Sequence, residues 1–271
     1  QSNATTTFDI ITFVPGSHSP APISGTVRNA LNNRPVGGLS VRLRPGVSMQ
    51  TGDYATDANG EEILAVQTTE SGSYVIDNVP AGNYTLEVSG SGYSTTYRTV
   101  ISAGVDTPSN QDVLISPVLG SDEVRVVLSW NEHPQDLDSH LEYGYSHPEQ
   151  VVWNDKTKLN GDLLLDYDVV TGFGPETVTI KGSAWTQPRR GYSVFNWTRY
   201  RTPSYYSVVP ISDSGATVRI YKANGLVRTY HAGPDQIGKW WYLFCLDGNG
   251  AVIDAGGSGC STGQYFNAPY N

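Results

Sequence analysis

ESGSYVIDNVPAGNYTLEV, running from Glu70 to Val88, is the stretch whose reading decides the fold. Tyr74 and Ile76 sit two residues apart, as do Tyr84, Leu86 and Val88, so in extended chain each set turns to one face. Between the sets lies Val79-Pro80-Ala81-Gly82, where Pro80 presets φ for a turn. Gly72 and Gly82 are expected to supply positive φ at the turns, and Tyr74 and Tyr84 to face a core. Two short strands joined by a tight turn are the unit of an antiparallel β protein.

Outward from this run the same pattern repeats. Ile23 to Val27, Leu39 to Leu43, Thr96 to Ile101 and Asp112 to Ile115 are rich in β-branched and aromatic residues, with Gly, Asn and Pro turns between them. No helical period competes. The stretch from Pro45 to Val66 is longer and more polar, and its Asp53, Asp57, Asn59, Gly60, Glu61 and Glu62 are spaced loosely like a calcium loop. The EF-hand spacing of alternate acidic ligands, Gly and a distant Glu is not met, so a solvated loop is the expectation there.

Taken in order, Ile23-Ser24-Gly25-Thr26-Val27, Pro35-Val36, Thr69-x-Ser71-Gly72-x-Tyr74, Val79-Pro80-Ala81-Gly82-x-Tyr84-x-Leu86 and Gly92-Tyr93 resemble the carboxypeptidase regulatory-like domain. The resemblance spans residues 23–118 and implies a transthyretin (prealbumin)-like β-sandwich of seven strands. It does not bring a zinc peptidase with it, because His-x-x-Glu occurs nowhere in the chain. Residues 1–22 read as a tag remnant, Gln1-Ser2-Asn3-Ala4, followed by a Pro-rich arm.

A second all-β domain is expected over residues 122–268. Val124, Val126, Leu128 and Trp130 alternate along a half-buried strand, and further strands are expected at 151–153, 177–180, 191–197, 216–222, 226–231 and 240–246. Leu128-x-Trp130, Asp136-Leu137-Asp138-Ser139-His140-Leu141, Leu165-Asp166-x-Asp168 and Thr171-Gly172-Phe173-Gly174-Pro175-Glu176-Thr177 together resemble a YfaP-type bacterial domain of unknown function. So do Gly191-Tyr192, Ser214-Gly215-Ala216 and Trp240-Trp241-x-x-Phe244-x-Leu246-Asp247-Gly248. This second resemblance covers residues 122–250 and implies export and a β-rich fold, but no activity. The fold class expected for the whole chain is therefore all-β, two sandwiches in tandem.

Composition bounds the function. The 271 residues hold 29 Gly, 16 Pro, 17 Tyr and 6 Trp with only 16% charged residues, which suits short strands and tight turns. A formal net charge of −9 argues against a sequence-independent grip on nucleic acid or anionic lipid, since both need clustered Lys and Arg. No apolar run is long enough to span a membrane as a helix. The two cysteines, Cys245 and Cys260, flank a Gly-rich stretch, and a disulfide between them would close a loop of about 15 residues, worth roughly 3 kcal/mol.

The densest chemical signal is the acidic pairs Asp136-x-Asp138 and Asp166-x-Asp168, helped by Glu176. Residues i and i+2 of a strand point to one side, so each pair presents two carboxylates together. Such a concentration of like charge calls for a hard cation, and Ca²⁺ accepts irregular oxygen cages. Turn capping by the Asp side chains is the alternative that the residues leave open. His140, with His133 and His147 seven residues to either side, lacks the spacing of compact zinc motifs and reads as a buried structural histidine.

An interleaved run of aromatic and basic residues, among them Trp185, Trp197, Arg199, Tyr200 and Arg201, either contacts a ligand or fills a core. Alternation assigns Tyr192, Val194 and Asn196 to one face and Ser193, Phe195 and Trp197 to the other, so an exposed aromatic set and a strand packed on both faces are both open. Trp185, Trp197 and Tyr200 are the ligand-contact candidates. P-loops, zinc-protease motifs and dinucleotide fingerprints do not occur, so no enzyme is expected. The expected protein is exported, in the periplasm, on the cell surface or secreted. It binds a glycan or a peptide or protein partner on a calcium-stabilised surface. A purely structural spacer of an envelope assembly, or a carbohydrate-active hydrolase built on two carboxylates, are the competing readings.

Overall fold

A computed structural model describes residues 19–104, 107, 108, 110–144, 149–182, 190–201 and 209–260. Among the described residues, those up to Val118 form one compact body and those from Leu119 onward a second. Both are built from strands.

Among the described residues the first body has seven strands: β1 (Ala21–Asn29), β2 (Ser40–Pro45), β3 (Val66–Gln67), β4 (Ser73–Val79), β5 (Gly82–Ser89), β6 (Thr96–Ser102) and β7 (Val113–Ile115). They make a sheet ordered β4-β1-β7 and another ordered β3-β2-β5-β6. Ile23, Val27, Val41, Leu43, Ile76, Leu86 and Val88 form the core between them. Tyr74 and Tyr84 are buried in that core as alternation requires. Their hydroxyls are satisfied by donating to the carbonyls of Gln111 (2.6 Å) and Pro80 (2.9 Å). Gly72 has φ +73°, and a Cβ there would lie 2.5 Å from the Val27 carbonyl oxygen. Gly82 does not need its freedom: it begins β5 with ordinary φ, so only one of the two turn glycines serves the expected purpose.

In the polar loop, Asp57 Oδ1 accepts from the backbone N–H groups of Asn59 (2.8 Å) and Glu61 (3.0 Å). That is a local Asp turn.

The second body packs two sheets. One is ordered β10 (Glu149–Val151), β9 (Leu137–Tyr143), β14 (Arg190–Asn196), β17 (Trp240–Leu246), β18 (Val252–Asp254). The other is ordered β11 (Thr157–Lys158), β12 (Leu163–Tyr167), β13 (Glu176–Ile180), β8 (Val124–Ser129), β15 (Thr217–Lys222), β16 (Gly225–His231). Val124, Val126, Leu128, Leu137, Leu141, Val178, Ile180, Tyr192 and Val194 share the core between the sheets. Cys245 and Cys260 are joined, with Cα atoms 5.6 Å apart.

One expectation changes here, and one open alternative closes. The Asp136 to Leu141 motif contains a strand of its own, β9, that runs beside β14. Both faces of β14 are buried, Phe195 included, because His140 and Trp240 pack on the face away from the core at ring distances of 5.9 and 4.4 Å. Of the two readings left open for this strand, packing holds, and Trp197 leaves it to open a short helix, α1 (Trp197–Arg201).

Candidate metal centre

The centre forms where β9 and β13 begin and β12 ends. Beyond the pairing of Val151 with Leu141, the β10 side of β9 has no strand beside it among the described residues. Into that gap reaches Glu176, the first residue of β13, whose Oε2 accepts from the Ser139 N–H at 2.5 Å. Glu176 shares its face of β13 with Val178 and Ile180, so it enters from the core side.

Loop contacts bring in the other carboxylates. The segment after β8 and the segment after β12 are bound to each other: Gly172 N–H donates to the Gln135 carbonyl (2.7 Å) and Phe173 N–H to the Asn131 carbonyl (2.9 Å). Gly172 makes this approach with φ +84°, and a Cβ at that position would sit 2.4 Å from the Glu132 carbonyl oxygen. The clamp holds Asp168, just past β12, near Asp136, just before β9. Thr198 of α1 ties the helix to the same place, its hydroxyl accepting from the Asp136 N–H at 2.8 Å.

Asp136, Asp138 and Glu176 offer oxygens that all lie within 4.8 Å of one another, a small acidic cluster that could hold a metal ion. Glu176 is 0% exposed and Asp138 2%. Asp136 Oδ1, Asp138 Oδ2, Asp168 Oδ1 and Glu176 Oε1 are buried with no hydrogen-bond donor among the described residues. A buried carboxylate oxygen without a partner is costly. The electrostatics register that cost. Burial, then Asp168, pushes the Asp136 carboxyl up to about 6, and burial, then Asp136 and Asp168, pushes Asp138 up to about 8. Burial and the Asp138 charge raise Glu176 well above the carboxylate range. Relief is partial: Lys156 Nζ pairs with Asp168 Oδ2 at 2.7 Å, and the Arg201 charge draws Asp136 down.

Asp166 is elsewhere. The pairing of β12 with β13 slips between Leu165 and Tyr167, and Asp166 accepts from the Thr179 hydroxyl (2.6 Å), which in turn accepts from Arg125 Nε (3.2 Å). Thr179 lies on the face of β13 opposite Glu176, so the strand separates Asp166 from the cluster. The four carboxylates that converge are Asp136, Asp138, Asp168 and Glu176; the i, i+2 rule holds for the first pair and fails for the second because of the bulge.

A concavity of about 510 Å³ opens over the cluster, lined by Gln135, Asp136, Asp138, Trp153, Asp168, Val170, Trp197, Thr198 and Arg201. Its volume lies within the usual range for small-ligand sites, about 300–1,000 Å³. Of the expected ligand contacts, Trp197 lines it. Tyr200 does not, but stacks on Trp197 with centroids 5.3 Å apart. Trp185 falls outside the described residues. The aromatic that sequence reasoning missed is Trp153, 40% exposed and 5.8 Å from the Trp197 ring. It stands 44 positions from Trp197 in sequence, and no local pattern joins them. His140 is buried beneath Phe195 and Trp240, and burial lowers it to about 4.

No helix among the described residues is long and apolar enough to cross a membrane. Comparison with curated proteins finds no match. Among solved structures, a protein of unknown function called SAV2460 is 15% identical over 50% of this chain and 86% of its own, with a TM-score of 0.34. The major pilin SpaD of Corynebacterium diphtheriae is 12% identical over 78% of this chain and 63% of its own, TM-score 0.24. The Bacillus cereus major pilin subunit BcpA is 10% identical over 78% and 67%, TM-score 0.29. These scores are low, and the fold described above rests on the strand pairing itself. Residues 22–116, nearly the whole of the first β-sandwich, match the carboxypeptidase regulatory-like domain.

Proposed function

We propose that this is a non-catalytic binding protein of the bacterial cell exterior, whose second sandwich, of the YfaP type, holds Ca²⁺ beneath a ligand-binding concavity while the first serves as a spacer. The observation that carries this reading is the coincidence of buried, undonated carboxylate oxygens with an aromatic-walled concavity. Ca²⁺ binds oxygens at about 2.3–2.6 Å, so ligands facing each other across the ion stand roughly 5 Å apart. The cluster's oxygens, all within 4.8 Å of one another, can close on such an ion. Mg²⁺ demands a stricter octahedron than a cage of three Asp and one Glu drawn from separate segments offers. The disulfide supports an oxidising compartment outside the cytosol.

Raised carboxyl pKa values in a cleft also suit a hydrolase, and that reading competes. Against it, Glu176, the deepest carboxyl, is fully buried and does not line the concavity, so it cannot reach a glycosidic oxygen. A cation bound from below needs it there.

The test is terbium luminescence. Trp153 and Trp197 border the cluster and would sensitise a bound Tb³⁺. Emission excited through tryptophan should rise on titration, be displaced by Ca²⁺ more readily than by Mg²⁺, and vanish in Asp138→Asn with Glu176→Gln. Wild-type protein that gives no sensitised emission, and no heat with Ca²⁺, would overturn the reading.

A further inference from the structure

We infer that the ligand of this concavity is a neutral pyranoside that offers two vicinal hydroxyls to the cation and lays a ring face on Trp153; the inference rests on the cation reading above. Three observations lead to it.

The first is open coordination. Glu176 reaches the cluster from the core side, whereas Asp136, Asp138 and Asp168 line the concavity. Four carboxylates supplying one oxygen each leave part of the six to eight positions of Ca²⁺ to be filled from the open side. A vicinal diol fills two of them from one rigid ring. It pays little ordering entropy in doing so.

The second is charge. The four carboxylates carry −4 when ionised, and among the described residues the positive charges facing them are Lys156, paired with Asp168, and Arg201, which acts on Asp136. A divalent cation brings the sum close to zero. A uronate or phosphate ligand would again leave buried charge uncompensated, whereas hydroxyl groups add none.

The third is the wall. Trp153 is 40% exposed and Val170 60%, so the side of the concavity next to the carboxylates is apolar. A pyranose has this division built in, with C–H groups on a ring face and hydroxyls at its edge. Gln135 and Arg201 at the lining present hydrogen-bonding groups for the remaining hydroxyls. An extended peptide supplies single carbonyl oxygens and no flat apolar face of this kind.

The experiment uses the full chain loaded with Tb³⁺, whose emission lifetimes in H₂O and D₂O count the waters on the ion. Methyl α-D-mannopyranoside, methyl β-D-galactopyranoside and methyl β-D-glucopyranoside are titrated separately, with methyl β-D-glucuronide and triglycine amide as the anionic and peptide probes. At least one neutral glycoside should remove about two waters, in keeping with a bidentate diol on a six-to-eight-coordinate ion. Trp153→Ala should weaken that glycoside about tenfold, equivalent to about 1.4 kcal/mol, and leave the sugar-free water count unchanged. If Tb³⁺ binds but no neutral glycoside displaces water, or the glucuronide or triglycine amide alone does so, the sugar inference falls and the cation site stands. If Tb³⁺ does not bind, both fall.

Discussion

Replacing Asp138 by Asn should stabilise the metal-free protein at neutral pH, the opposite of what removing a buried, well-paired side chain does. Asp138 is 2% exposed, and its carboxyl is pushed from an ordinary 3.8 up to about 8 by burial and by Asp136 and Asp168. An acid whose folded pKa lies above its unfolded one contributes stability that is complete below about pH 4 and lost as pH rises towards 8. At 1.36 kcal/mol per pH unit, keeping the group in the fold at pH 7 costs on the order of 4 kcal/mol. Asn removes that term but brings an amide needing its own partners, at a cost of about 1–3 kcal/mol. A net gain of about 2 kcal/mol remains. In a body of roughly 150 residues this raises the melting midpoint by about 4–8 °C. The assay is a thermal melt by circular dichroism in EDTA at pH 7.5, at pH 4, and at pH 7.5 with millimolar Ca²⁺. The variant should melt higher than wild type in the first condition, lower in the second, where the carboxyl is largely neutral and only the amide's cost remains, and lower again in the third, where Ca²⁺ stabilises wild type alone. A variant that melts lower than wild type in EDTA at pH 7.5, by a margin independent of pH, would refute the claim that uncompensated carboxylates strain this site.

Because the Asp136 and Asp138 carboxyls titrate near 6 and 8, Ca²⁺ binding should release protons, with affinity rising from pH 5.5 to 8.5. Calorimetry in buffers of different ionisation enthalpy measures the release, and a pH-independent affinity would contradict the assignment. Asp168→Ala should lower Tb³⁺ affinity at least about tenfold, while Asp166→Ala should change it less than about twofold, since Asp166 serves Thr179 on the other face of the sheet. Equal losses from the two variants would mean that the face assignment is wrong. Gly172→Ala adds a Cβ against the Glu132 carbonyl at φ +84°, and should cost about 1–3 kcal/mol in denaturant melts. It should also weaken Tb³⁺ binding, because it loosens the clamp between the loops carrying Asp136 and Asp168.

Much of the fold is local in origin, and so it was readable along the chain. Alternation in β1, β4, β5, β8, β13 and β15 reports which face of each strand meets the core, since the period of two is a property of the strand alone. Turn positions follow in the same way from residues such as Gly72, whose φ of +73° excludes most side chains. Two carboxylates of the centre, Asp136 and Asp138, were legible because the i, i+2 rule acts within one segment. Glu176 was named from its chemistry, although nothing in its own segment tells that it turns inward.

What tertiary structure alone decided depends on partners distant in sequence. A slip in the pairing of β12 with β13 sends Asp166 to Arg125 and Thr179 and leaves Asp168 for the centre, and a bulge exists only relative to its neighbouring strand. The second face of β14 is buried because other elements cover it, so Phe195 is core, an outcome that alternation left open. Trp153 meets Trp197 only because the ends of β10 and β14 arrive at the same rim. Period and turn chemistry determine strands from sequence; register and the meeting of loops are set by packing between segments, and the carboxylates and aromatics of this site converge only there.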